Sequence, residues 1–197
     1  MITIVDYGAG NLRSVQNTLD EIGAPYIVTN EPDLVNRAGK IVLPGVGHFG
    51  QMMQALDALK LREPLVDKIH SGTTFLGICV GLQCLFESSE ESPPAQGLGI
   101  LPGQIKRFTG SMRVPHMGWN SLSRVKNSRL LNGLEDEPFT YFAHSYYAPV
   151  IRETAATCTY AHPYTAVIEH ENVHAVQFHP EKSGPVGLQV LRNFVEL

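Results

Sequence analysis

A chain of 197 residues, 43% hydrophobic and 17% charged, can bury one substantial core and has the composition of an ordinary globular protein. Its formal net charge of −4 argues against broad electrostatic attraction to nucleic acid, and no apolar run is long enough to cross a bilayer. Three cysteines (Cys79, Cys84 and Cys158) without a C-x-x-C pair make neither a disulfide framework nor a zinc site. They fit a reducing cytoplasm, as does an N-terminal MITIVDYG that lacks the basic start and long apolar middle of a signal peptide.

In chain order, ITIV (2–5) reads as a short buried strand followed by the turn-like DYGAG (6–10). Asn11 is placed to cap a helix over 12–22, whose Leu12, Val15, Leu19 and Ile22 recur at helical spacing before Gly23 stops it. YIV (26–28) and IVL (41–43) are further strands, the second ended by PGVG (44–47). Residues 51–70 have helical spacing interrupted near Pro64, FLGI (75–78) is another buried strand, and 82–87 looks helical. Short apolar strands alternating with helices predict an α/β domain with a largely parallel sheet.

The second half differs. IKRF (105–108) and YFAH (141–144) read as strands. TAVIE (165–169) and VHAVQF (173–178) flank the polar turn HEN (170–172) as an antiparallel hairpin, and a helix over 186–195 closes the chain. EESPPA (90–95) and SMRVPHMGWN (111–120) read as loops. No repeat or linker divides the chain, so residues 1–197 are expected to form one domain.

The chemistry-bearing stretch is GICVG (77–81), a strand delivering a lone cysteine between two glycines. One reading makes Cys79 a small core residue, as most free cysteines are. The other makes it a nucleophile on a sharp strand-to-helix elbow, where neighbours two residues away must be small and the helix start favours a thiolate. A nucleophile needs a base and a group to orient that base. QFHPE (177–181) offers both, because a bend at Pro180 can bring His179 and Glu181 to one side of the sheet. A loop histidine and glutamate with no shared task is the alternative.

Together, GICVG and HPE resemble the class I, or triad-type, glutamine amidotransferases, which hydrolyse glutamine to glutamate and ammonia through a cysteine thioester. The resemblance spans nearly the full chain, since PGVG (44–47) also matches. It implies a three-layer, flavodoxin-like fold with a mostly parallel central sheet and an antiparallel addition in the second half. It implies Cys79 as nucleophile, His179 as general base and acid, and Glu181 as the group orienting His179. It also implies an oxyanion site built from the backbone N–H groups of Val46, Gly47 and Val80. No metal or other cofactor is implied.

Within that family, DYGAGN (6–11), GHFG (47–50), LFESSEE (85–91), VPHMGWN (114–120), YFAHSY (141–146) and HPEKS (179–183) look like the glutaminase subunits of imidazole glycerol phosphate synthases, from histidine biosynthesis. Val80, where leucine is more usual, and Cys84, where an apolar residue is more usual, are the departures. The resemblance implies that Gln83, Glu91, His144, Ser145 and Tyr146 hold glutamine. It implies a heterodimer partner, a (β/α)₈-barrel synthase that receives the ammonia and forms imidazole glycerol phosphate and an aminoimidazole carboxamide ribotide. Asn11, Trp119 and Lys182 are the interface candidates. His116 is not assigned to catalysis, and Cys84 reads as a small buried residue. Other readings are a different glutaminase subunit, such as that of pyridoxal phosphate synthesis, or a cysteine hydrolase without a partner. A further alternative is a non-catalytic module holding a phosphate or flavin at DYGAGN.

Overall fold

The computed structural model describes residues 1–9 and 11–197, so DYGAGN is described except at Gly10. Its first half runs β1 (Ile2–Val5), α1 (Leu12–Glu21), β2 (Tyr26–Thr29), α2 (Pro32–Asn36), β3 (Lys40–Gly45), α3 (Phe49–Ala58), α4 (Arg62–His70), β4 (Thr74–Cys79) and α5 (Val80–Gln83). The second half adds β5 (Phe86–Ser89), β6 (Leu101–Arg107), β7 (His116–Ser121), β8 (Ser123–Arg124), β9 (Phe139–His144), β10 (Tyr146–Tyr147), β11 (Thr154–Tyr160), β12 (His162–His170) and β13 (Val173–Val176). A 3-10 turn at Pro180–Lys182 leads into α6 (Gly184–Glu196).

Eight strands form the main sheet in the order β2-β1-β3-β4-β13-β12-β11-β8. The first five pair in parallel and the last three join antiparallel. β1 and β13 are buried along their whole length and β4 along all but its first residue, as strands covered on both faces must be. α1 packs on α6, while α4 packs on α2 and α3. Strand order reverses after β2, so right-handed crossovers put α1 and α2 on opposite faces and give three layers. Strand order 2-1-3-4-5, with β13 in the fifth place, is the flavodoxin-like arrangement. The fold class expected from the sequence is therefore the one observed. The smaller sheets β10-β6-β5 and β7-β9 carry the rest of the second half.

Several local expectations are corrected. The break within 51–70 falls at Leu59–Leu61, not at Pro64. Lys60 takes φ 57°, and the Lys60 and Leu61 N–H groups donate back to Asp57 and Leu56, which closes α3. Pro64 sits in the first turn of α4, where a missing N–H costs nothing. Residues 82–87 are not one helix. Leu98 N donates to Cys84 O (2.7 Å) and Leu101 N to Leu85 O (2.9 Å), which draws the chain out after one turn and makes Phe86 the start of β5. The expected loop 111–120 becomes β7 from His116 onward, paired with β9. Asn11 precedes α1 as anticipated, but its side chain caps nothing. The hairpin around HEN is present, with β12 starting three residues earlier, at His162.

The elbow at Cys79 is where β3, β4 and α5 meet. Cys79 has φ 55° and ψ −109°, a conformation that strains any residue with a Cβ. A Cβ on Gly77 would lie 2.5 Å from Gly81 O, one on Gly81 would overlap Leu43 O, and one on Gly45 would overlap Gly81 N. The flanking glycines let two strand ends and a helix start crowd together. We predict that Gly81→Ala costs about 2 kcal/mol or more of folding stability, whereas Gly39→Ala, where a Cβ meets nothing within 4 Å, stays within about 0.5 kcal/mol of wild type. Urea midpoints check this, and equal midpoints would contradict the crowding argument.

Candidate active site

Cys79 lies at the carboxyl end of β4, and His179 follows the carboxyl end of the neighbouring β13. Open α/β sheets bind ligands at such strand ends. The turn bearing His179 is clamped from β9. His179 N donates to Tyr141 O (2.9 Å), and Tyr141 N donates to the Ser183 hydroxyl (3.0 Å). That hydroxyl in turn donates to His179 O (2.7 Å). Ser183 therefore fixes the turn that carries His179 and Glu181, a role that HPEKS did not announce.

The His179 Nδ1 meets Glu181 Oε1 at 2.9 Å, and both side chains are almost wholly buried. With Nδ1 on Glu181, Nε2 is the ring nitrogen left for the cavity that His179 lines together with Cys79. Burial by itself would lower the His179 pKa. The neighbouring Cys79 sulfur and the Glu181 carboxylate outweigh burial and raise the pKa to about 10. The arrangement can hold an imidazolium beside the sulfur and deliver its proton to a leaving group.

A cavity of about 300 Å³ opens over this pair. Val46, Gly47, Cys79, Val80, Gln83, Glu91, His144, Ser145, Tyr146, His179 and Lys182, all singled out in the sequence, line it together. Glu181 sits behind His179, and Asn11 and Trp119 lie outside the wall. Val80 N is the first N–H of α5 and has no acceptor within the helix. Gly47 takes φ +88°. Val46 N points elsewhere, donating to the Tyr7 hydroxyl (3.1 Å), which itself contacts Val46 O (3.4 Å). Of the three oxyanion candidates, Val46 is thus turned onto Tyr7.

Glu91 Oε2 accepts from Phe49 N (2.7 Å) at the start of α3, so the carboxylate is held at the cavity edge. Gln83 is buried and donates through Nε2 to Tyr146 O (3.0 Å) and to Gln177 Oε1 (3.1 Å). Gln177 also reaches Cys79 Sγ at 3.6 Å, and sequence reasoning missed it. The signal was present in QFHPE, but a residue at the end of an apolar strand reads as packing. His144 Nδ1 meets Tyr146 O (2.8 Å), and its Nε2 meets the Tyr164 hydroxyl (3.2 Å). His116 stacks on Tyr160 (4.0 Å between centroids) and Phe142 (5.0 Å), so it packs behind the site. Cys84 is wholly buried against Met52, and burial pushes its thiol pKa up.

The model of the glutamine amidotransferase class-I family matches residues 3–197. The chain belongs to that family. It is 52% identical to imidazole glycerol phosphate synthase subunit HisH of Methanothermobacter thermautotrophicus, covering 100% of this chain and 98% of that protein. It is 46% identical to the subunit of the same name from Desulfitobacterium hafniense, covering 98% and 93%. Among solved structures, a glutamine amidotransferase superposes with TM-score 0.78 at 16% identity over 100% of this chain and 98% of that one. A chain of PurLQS from Thermotoga maritima gives 0.73 at 18% identity over 99% and 97%. At these identities the two structures speak for the fold only.

Histidine charge makes the folded state sensitive to pH from both sides. Desolvation holds His144 at about 3 and His116 at about 4. It also holds His174 at about 4. These three are neutral when folded and take up protons below 6.5 when unfolded, so stability falls as pH drops from 6.5 towards 4, by up to about 1.4 kcal/mol per pH unit for each. His179 works in the opposite sense. Its raised pKa favours folding below 6.5, and that contribution is lost as pH rises through about 10. Urea midpoints across this range are expected to show both declines. His174→Leu should flatten the acid limb and Glu181→Gln the alkaline one, and unchanged slopes would refute the assignment.

Proposed function

We propose that the chain, as one domain over residues 1–197, is the glutaminase subunit of an imidazole glycerol phosphate synthase in histidine biosynthesis. The buried Cys79–His179–Glu181 line at the cavity floor carries the reading, and the likeness to HisH subunits over the full chain supports it. Glutamine binds with its carboxamide over Cys79. Its ammonium group meets Glu91, and Gln83 and the His144–Ser145–Tyr146 segment hold the remainder.

The Cys79 thiolate attacks the carboxamide carbon. The tetrahedral oxyanion is stabilised by N–H groups of Val80 and of the 46–47 segment, each such donor being worth about 10²–10³ in rate. The His179 Nε2 proton passes to the amide nitrogen, the C–N bond breaks, and ammonia departs, leaving a thioester. His179 then takes a proton from water, whose oxygen attacks the thioester carbon. Glutamate leaves and the thiolate returns. Glu181 holds the imidazole in the right tautomer throughout.

The ammonia is consumed in a second, (β/α)₈-barrel subunit. Trp119 and Met117 on β7 are more than half exposed, Trp119 leans on Tyr141, and Lys182 lies 5.9 Å above the Tyr141 ring. This apolar patch with a cation beside the cavity mouth suits a partner anchored by aromatic contacts and a carboxylate. Asn11 lies at the start of α1, which packs beside the 3-10 turn carrying Lys182. Partner binding also gates the reaction. With Val46 N tied to Tyr7, the free chain lacks one oxyanion donor, and rotating the Gly45–Val46 peptide supplies it.

Ammonia release from glutamine is to be measured for the chain alone, with the barrel protein, and with the barrel protein plus its nucleotide. Turnover should rise sharply in the last mixture and fall by a factor on the order of 10⁴ or more in Cys79→Ala. Tyr7→Phe should raise the turnover of the free chain several-fold. Equal turnover in all three mixtures would sink the gating, and an active Cys79→Ala would sink the triad.

A further inference from the structure

His179 shares the cavity lining with Cys79. The sulfur has a second neighbour in Gln177, which is wholly buried. Gln177 Nε2 points to Sγ at 3.6 Å, and its Oε1 accepts from Gln83 Nε2 at 3.1 Å. The second proton of the Gln83 amide goes to Tyr146 O, which also faces His144 Nδ1. A buried amide is costly unless both of its ends are paired, and here they are paired to the nucleophile and to a residue of the cavity wall.

Each bond in this chain sets the orientation of the next group. Both N–H protons of Gln83 are committed to protein acceptors, so only its carbonyl oxygen is left for the cavity. Gln177 can accept from Gln83 only if its own N–H groups face the sulfur. An N–H donor aimed at sulfur favours the thiolate over the thiol.

We propose that Gln177 is a positioning residue of the glutaminase reaction: its amide donates to the Cys79 thiolate and holds the Gln83 amide so that its carbonyl oxygen faces the substrate. The two ends of one side chain thereby couple nucleophile activation to substrate recognition. This rests on Cys79 being the nucleophile.

The test uses the complex with the barrel protein plus its nucleotide. Gln177→Glu fills the same volume and keeps an acceptor for Gln83, but as a carboxylate it replaces the N–H that faces the sulfur with a negative charge. Its kcat should fall about tenfold to a hundredfold while KM for glutamine stays within about twofold, because a lost charge-assisted donor affects the reacting sulfur and not binding. Its pH profile of Cys79 alkylation by iodoacetamide should move upward. Gln177→Met removes both ends, so KM should rise as well.

Wild-type alkylation profiles in both variants would overturn the proposal. Should either variant fail to fold, the native chain still decides. The side-chain amide resonance of Gln177 must shift when Cys79 is alkylated, and an unmoved resonance overturns the assignment. Failure of the underlying reading looks different: Cys79→Ala would then retain turnover, whereas a mistaken role for Gln177 leaves that variant inactive.

Discussion

The Leu43 carbonyl occupies the space that a Cβ on Gly81 would need, and the functional geometry depends on that closeness. β3 and the start of α5 touch backbone to backbone, with Gly45 and Gly81 as the facing residues. Cys79 is left at a positive φ, pushed out of the sheet plane and into the cavity. The same contact sets the segment after Gly45 beside the sulfur, so the proposed nucleophile and the proposed oxyanion donors are positioned by one packing event. Strain of this kind persists only where surrounding structure over-determines it, and here β3, β4 and β13 are all central strands of the sheet.

Electrostatics then sorts side chains of one type into different states. His116, His144 and His174 are buried without a carboxylate hydrogen-bonded to the ring, so desolvation keeps them neutral. His179 is buried too, but between a sulfur and a carboxylate, and there charge pairing overcomes desolvation. Neutral His144 can then serve as a hydrogen-bonding scaffold for the Tyr146 carbonyl without adding a second positive charge near His179. The cavity thus has one strongly basic imidazole, placed at the sulfur.

How much of this the sequence foretold depends on how local the cause was. The parallel half was legible because its strands are short apolar runs and its helices carry apolar faces at regular spacing. GICVG announced the elbow because its glycines answer a steric demand at fixed offsets. Residues 82–87 misled because their fate is settled by Leu98 and Leu101, which lie more than ten residues away and bond to Cys84 and Leu85. β11 and α2 went unread, since Ala- and Thr-rich TAATCTY and five-residue PDLVN have little periodicity. Gln177 and Ser183 escaped for a related reason. Each acts through partners from a different element, and nothing in the neighbouring residues encodes those partners.

An enzyme that makes ammonia for another subunit must avoid making it idly, and the positions of Tyr7 and Val46 suggest how the cost is kept low. The Tyr7 hydroxyl is buried and bonds to both polar groups of Val46, which occupies the Val46 N–H at little energetic expense. A hydrogen bond between neutral partners is worth only about 1 kcal/mol net, so binding of a partner can readily outcompete it. In the proposed gating, the oxyanion donor released is worth more to the transition state than the bond broken. Breaking a weak bond to gain a strong transition-state contact is the condition for a large response from a small rearrangement. Gly45, on the other side of the peptide that carries this N–H, has no Cβ to oppose the rotation. The rigid elbow and the rotatable turn are therefore complementary in the proposed gating, because a fixed Cys79 leaves one peptide plane to control the reaction.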